Sequence, residues 1–239
     1  MKDSHSPLHP KIVLGIVAHP DDMDVAAGGS VAQFVQDGAE VHYLILTDGS
    51  KGSDDVEMSS PELIKIRQDE QQRALEIVGG TSVTFHSYVD GELEVSMELK
   101  KDIVKVIRTI KPDVVITFDP TMVYSTKNDI INHPDHRAAG QATLDAVFPL
   151  ARDRLAFPEL AAEGFAPHKT PTVLLINFDG GNFAIDITNT FTTKVEAIRA
   201  HPSQFGEFED TSWLRSMAEG QGSLYGYELA ESFIRLDVS

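Results

Sequence analysis

An α/β fold, a mostly parallel sheet with helices on both faces, follows from three observations. Ile12–Ala18 is apolar throughout and Val114–Phe118 is apolar but for Thr117, the pattern of strands covered on both sides. Segments with helical spacing lie between the strand candidates. Strand and helix alternate through about the first 150 residues, which favours right-handed βαβ units.

The elements read in order. Ile12 to Ala18 is the first strand and ends at His19-Pro20. A helix pattern follows from about Val25 to Gln36. Val41 to Leu46 is a strand closed by Thr47-Asp48-Gly49. A Ser-, Gly- and Asp-rich loop reaches Ser60-Pro61, where Ser60 reads as N-cap and Pro61 as the first helical residue, since proline lacks only an N–H that would be orphaned there. That helix stops at Gly79-Gly80. Val83 to His86 is a short strand, and Ser96 to Ile110 is helical, with Leu99, Ile103, Val106, Ile107 and Ile110 on one stripe. Val114 to Phe118 is the next buried strand, and Pro134 sits early in a further helix carrying Ala139, Leu144 and Val147. Beyond about Arg152 the alternation loosens. Val173–Ile176 and Phe183–Ile187 read as strands, and Thr190–Ala200 and the later residues as helix. The whole chain, 1–239, is expected to be one domain, with a core of about 11–150 and a C-terminal extension of about 151–239.

Composition narrows the function. With 37 Asp+Glu against 20 Lys+Arg, the formal charge of −17 disfavours nucleic acid and anionic polymers as partners. Without cysteine there is no disulfide, thiolate metal site or Cys nucleophile. Met1 to Pro10 is polar, and Ile12–Ala18 is too short to span a bilayer, so a soluble, cytoplasmic chain with no membrane partner is expected.

Ligands of open α/β sheets bind beyond the carboxyl ends of the strands. After the first strand comes Ala18-His19-Pro20-Asp21-Asp22-Met23-Asp24, where a dinucleotide fold would place Gly-x-Gly-x-x-Gly. Imidazole and carboxylates in that turn point to a cation rather than a phosphate. After Val114–Phe118 comes Asn132-His133-Pro134-Asp135-His136-Arg137, with two histidines three apart at a helix start. Taken alone, Asp-Asp reads as a solvated turn or N-cap and His-Pro as a turn dipeptide. Two such clusters, each after a buried strand, favour convergence at one end of the sheet. His19, Asp21, Asp22, His133 and His136 are enough for three ligands, a general base and an electrostatic partner. A mixed N/O set suits Zn2+, with Fe2+, Mn2+ or Co2+ as alternatives.

These two motifs resemble the signatures of the LmbE-like, PIG-L type zinc-dependent N-deacetylases. Thr47-Asp48-Gly49, Arg67-x-x-Glu70, Gly79-Gly80, Asp90-Gly91, Pro112-Asp113-Val114-Val115, Lys194, His201-x-Ser203-Gln204 and Glu231-x-Phe233 extend the likeness along most of the chain. The resemblance implies a Rossmann-like fold and hydrolysis of an N-acetylated amino sugar or its small glycoside. It implies His19, Asp22 and His136 as metal ligands and Asp21 as general base. It further implies His133 as the group that stabilises the oxyanion or protonates the leaving amine, with the Asp135 carboxylate beside it to hold that histidine charged. Arg67 and Asp90 are implied as substrate contacts; the competing readings are an Arg67–Glu70 ion pair and a plain Asp-Gly turn. Relatives of this kind form assemblies of several sizes, which makes a homo-oligomer an allowed state.

Met23 departs from the glutamate usual after the Asp pair, which puts the orientation of the metal ligands in question. Ile131 stands where one well-known relative has Tyr, leaving Tyr124 as a candidate hydroxyl. Trp213 is a candidate sugar platform or a core residue, and 48–58 a lid or a surface loop. His42, His86, His168 and His201 are expected to be structural. The competing functions are an amidase or esterase on a non-sugar N-acyl group and a non-catalytic metal- or sugar-binding protein.

Overall fold

The computed structural model describes residues 7–206 and 209–238. Most of the polar N-terminal stretch lies outside them. In order, the elements are β1 (Ile12–Val17), α1 (Asp22–Gln36), β2 (Glu40–Thr47), α2 (Ser60–Val78), β3 (Ser82–Tyr88), α3 (Met97–Ile110), β4 (Val114–Phe118), β5 (Tyr124–Ser125), β6 (Ile130–Ile131), α4 (Pro134–Asp145), α5 (Pro158–Ala162), β7 (Thr172–Ile176), β8 (Phe183–Asp186), α6 (Phe191–Arg199), α7 (Pro202–Phe205), α8 (Ser212–Tyr225) and β9 (Ala230–Asp237). A seven-stranded sheet has the order β3-β2-β1-β4-β7-β9-β8, and β5 and β6 form a separate hairpin. Strands β1 to β4 and β7 run parallel, whereas β9 is antiparallel to both its neighbours.

The continuous apolar runs have the physical basis expected of them. Alternate residues of each strand enter opposite cores. Val13 and Val17 pack with α1, α2, α6 and α8, while Leu14 and Ile16 pack with α3, α4 and α5. Ile116 and Val115 divide in the same way. Helix α3 shows the sequence rules locally: the Ser96 hydroxyl caps it by accepting from the Leu99 N–H at 3.0 Å, and Leu99, Ile103 and Ile107 are buried.

Three boundaries and one strand differ from the sequence reading. Helix α1 starts at Asp22, three residues early, which makes Asp22 a helical residue. The cap of α2 is Ser59, one residue before Ser60. Strand β3 extends to Tyr88. The last residues were expected to be helical; α8 is, but Ala230–Asp237 is a strand inserted between β7 and β8. Its buried Ala230, Glu231 and Phe233 give no clean alternation, and what fixes it is pairing with β7 on one side and β8 on the other.

The order of the sheet locates the site. From β1 the chain builds outward through β2 and β3, then returns to place β4 on the other side of β1. Connections leave in opposite directions there, and the crevice beyond the carboxyl ends of β1 and β4 is where such folds bind ligands. Gly140 lets α4 approach: a Cβ there would lie 2.2 Å from the Phe118 carbonyl oxygen, so only glycine allows the helix carrying His136 to pack on the end of β4.

Candidate metal and catalytic site

The turn after β1 is short and constrained. Asp21 has φ 95° and ψ −31°, a backbone conformation costing on the order of 1–3 kcal/mol for a residue with a side chain. Its N–H donates to Gln71 Oε1 at 2.8 Å, and its carbonyl receives the Val25 N–H at 3.0 Å. Gln71, on α2, in turn donates to Asp24 Oδ2 at 2.7 Å. His201 Nε2 reaches the same oxygen at 2.9 Å, and the Tyr43 hydroxyl lies 3.4 Å from Asp24 Oδ1. Asp24, Gln71 and His201 are all fully buried. Met23 packs beneath Gly15, where any Cβ would meet its methyl at 2.4 Å. The turn that carries Met23 is thus fixed from below by Asp24 and its three partners.

This turn and the start of α4 bring His19, Asp22 and His136 together, with one potential ligand atom from each within 4.8 Å of the others. His136 Nε2 lies 3.0 Å from Asp22 Oδ1, and His19 Nδ1 lies 3.4 Å from Asp22 Oδ2. Each imidazole is oriented from behind. The His136 ring stacks on Phe118 with centroids 4.0 Å apart and 5° between planes, and its Nδ1 faces Asn132 Oδ1 at 3.1 Å. His19 Nε2 faces Asp135 Oδ2 and Asp90 Oδ1, both at 3.2 Å. Metal-binding histidines are held in this way, one nitrogen donating to an oxygen while the other points at the ion.

The electrostatics calls for a cation. Three carboxylates, Asp22, Asp90 and Asp135, surround one imidazole. Burial works against a charged His19, yet Asp22, Asp135 and Asp90 together push its pKa up to about 12. Burial would raise Asp22, but His136 and His19 hold it well below the usual carboxylate range. Asp90 comes down to about 2 against its burial, through His19 and the Lys51 N–H. Asp21 goes the other way, up to about 7, because burial and the Asp22 charge outweigh Arg67, His201 and His19. A second group, His19, Asp90, His133 and Asp135, also lies within ligand spacing. Asp135, however, already accepts from the Gly91 and Leu93 N–H groups at 2.7 and 3.2 Å. The donor set of His19, Asp22 and His136 fits a divalent ion better.

The expected pairing of Asp135 with His133 is corrected. Asp135 gives its oxygens to His19 and to the loop after β3, and lies 4.0 Å from His133 Nδ1. That Nδ1 instead accepts the Asp135 backbone N–H at 3.2 Å, which puts the proton of a neutral imidazole on Nε2. Burial, together with His19 and His136, lowers the His133 pKa and favours this neutral form.

Arg67 makes no ion pair with Glu70. Its guanidinium donates to the Pro20 and Gly49 carbonyls at 2.7 and 3.1 Å and lies 3.5 Å from Asp21. Glu70 holds the Ser203 N–H and hydroxyl. Arg67 and Asp90 line a polar cleft of about 330 Å3 with His19, Asp21, His133, Lys51 and Gln204. Lys51 and Gly52 form one wall of that cleft, held by Lys51 N–H to Asp90 and by Gln204 to the Gly52 carbonyl. The Tyr124 side chain is 64 % exposed and absent from the residues lining the cleft, so the hydroxyl sought there is not supplied by it; it pairs across the hairpin with Ile131. The sequence reading gave no role to Asn132, Asp24 or Gln71, and took His201 as structural.

Comparison with known proteins places the chain among its relatives. A family model described as GlcNAc-PI de-N-acetylase, PIG-L, matches residues 14–147, from β1 through α4. A diacetylchitobiose deacetylase of Thermococcus kodakarensis is 36% identical over 224 residues, covering 92% of this chain and 81% of that protein. The chain belongs to the PIG-L family. The solved N,N'-diacetylchitobiose deacetylase of Pyrococcus horikoshii superposes with a TM-score of 0.87 and 31% identity, covering 95% of this chain and 84% of that one. The 4-carboxy-2-hydroxymuconate hydratase of Pseudomonas putida KT2440 has the same fold at 21% identity, with a TM-score of 0.78 over 96% of this chain and 97% of that one. In this PIG-L chain, as in any fold that hosts more than one reaction, the chemistry has to be argued from the site.

Proposed function

We propose that this chain is a metal-dependent N-deacetylase that removes acetyl from an N-acetylglucosamine-type amino sugar or its small glycoside. One observation carries the reading: Asp21 stands beside the group formed by His19, Asp22 and His136 without belonging to it. A site that only bound metal would have no use for that spare acid. The deacetylase relatives at 36% and 31% identity support the same activity.

His19, Asp22 and His136 would hold the ion, Zn2+ by the nature of the donors, with Fe2+, Mn2+ and Co2+ also compatible. Such an ion supplies Lewis acidity and lowers the pKa of bound water from 15.7 to about 7. The rest falls to side chains. Asp21, poised near neutrality, takes the proton of the attacking water. His133 donates from Nε2 to the carbonyl oxygen as it gains charge, and the proton that Asp21 took from water passes to the departing amine. Asp135 fixes His19 and, through its backbone N–H, the tautomer of His133. Arg67 locks the Asp21 turn and, with Asp90, Lys51 and Gln204, presents polar atoms to sugar hydroxyls. Among the described residues no helix is long and apolar enough to cross a membrane, which accords with a small water-borne substrate.

The test is acetate and primary-amine release from N-acetylglucosamine conjugates by zinc-loaded protein, with Asp21→Asn alongside. We expect Asp21→Asn to lose on the order of 10²–10⁴-fold in kcat with its metal content unchanged. Full activity in that variant would refute the base assignment, and release from simple N-acyl amines alone would refute the sugar assignment.

A further inference from the structure

Asp21 forms a wall shared by two cavities with different linings. On one side is the polar cleft described above. On the other is a chamber of about 190 Å3, bounded by Asp21, Asp22 and His136 at its reactive end and by Val25, Ala26, Phe118, Phe178 and Phe205 elsewhere. The chamber does not end there. Val25, Ala26 and Phe178 also line a further cavity of about 140 Å3, which runs beneath α8 past Trp213, Leu214 and Met217, with Lys194 and Glu231 on its floor already paired to each other.

An amide whose carbonyl carbon is attacked beside Asp21 has two arms. The hydroxyl-bearing amine arm needs hydrogen-bond partners and finds Asp90, Lys51, Arg67 and Gln204 in the polar cleft, whereas hydroxyls placed against Phe118, Phe178 and Phe205 would go unpaired. The acyl arm therefore takes the apolar chamber. A methyl is about the size of a water, which needs only on the order of 10–15 Å3 of such space. An acetyl group leaves most of the chamber unused.

Given the amide-hydrolysis reading above, we propose that the enzyme also cleaves N-acyl amino sugars with chains longer than acetyl, the chain lying between Phe118, Phe178 and Phe205 and reaching toward Trp213. The balance is that of hydrolysis. Water oxygen bonds to the acyl carbon, the C–N bond breaks, and the nitrogen takes a proton. A carboxylic acid and a free amine leave, and water is the only co-reactant.

The experiment compares kcat/KM for N-acetyl-, N-butanoyl- and N-hexanoylglucosamine by amine release on the zinc-loaded enzyme. A buried methylene is worth up to about fourfold. We expect the butanoyl and hexanoyl compounds to equal or exceed the acetyl compound. A tenfold or greater fall at butanoyl, with acetyl still cleaved, overturns the proposal and leaves the deacetylase reading standing. If no compound of the series is cleaved, acetyl included, both fall. Ala26→Phe, which narrows the passage between the chamber and the cavity beneath α8, is expected to cut the hexanoyl-to-acetyl ratio at least tenfold. Met217→Trp, starting from a half-exposed side chain, is expected to lower the same ratio without disturbing the fold. An unchanged ratio in both variants counts against the chamber as the acyl site.

Discussion

The two loops that build the site reach it by different means. The turn after β1 places His19, Asp21 and Asp22 within four residues and holds them from beneath through Gln71, Asp24, His201 and Arg67. The connection after β4 takes a long excursion through an exposed hairpin before Asn132, His133, Asp135 and His136 arrive at the start of α4. The first loop is strained and clamped by buried groups. The second is longer and more exposed, is tied to the loop after β7 through Ser125 and Asn128, and orients His136 through Asn132 and Phe118. Precision therefore belongs to the supporting contacts behind each ligand, and perturbing those contacts separates the two loops experimentally.

The largest effect is expected on the second loop. Asn132→Ala removes the acceptor behind His136 and should cost about 10–100-fold in metal affinity or activity. Competition with a chromogenic chelator measures this; unchanged affinity would mean that stacking on Phe118 alone orients the ring. On the first loop, Gln71→Leu leaves the Asp21 N–H without its acceptor and takes one of two donors from Asp24 Oδ2, at about 1–3 kcal/mol of stability. Urea unfolding at constant m-value checks it, and a loss below 0.5 kcal/mol would show that the strained turn holds itself. The smallest effect lies in the hairpin. Tyr124→Phe should change stability by less than about 0.5 kcal/mol and leave kcat within twofold, because this exposed hydroxyl lies away from the cleft. A tenfold fall in kcat would restore it as a participant.

How far the sequence could be read follows the same division. Strands β1 and β4 were legible because burial on both faces forces apolar runs, broken only by Thr117, and donor residues at their ends marked the crevice. Imidazoles and carboxylates in place of phosphate-binding glycines already implied a cation and left His19, Asp21, Asp22, His133 and His136 as candidates; the family resemblance singled out His19, Asp22 and His136 as the ligands. The support was illegible for a physical reason. Gln71 and His201 lie on or beside helices that meet Asp24 only after folding, so no local spacing connects them. Asp135 was read as the neighbour of His133, since sequence adjacency hides the fact that the loop after β3 supplies Gly91 and Leu93 to hold it against His19. Strand β9 carries Glu231, which looks out of place in a sheet until its carboxylate is seen to meet the Gly29 and Ser30 N–H groups of α1 and Lys194 of α6.

The convergence of the two loops on one ion is tested most directly by metal stoichiometry. Apoprotein titrated with Zn2+ and followed by calorimetry should bind one equivalent tightly. His19→Ala on the first loop and His136→Ala on the second, each confirmed folded by circular dichroism, should both lose that equivalent. Retention of the tight site in His136→Ala alone would place the ion among His19, Asp90, His133 and Asp135 instead, and retention in both variants would contradict the account.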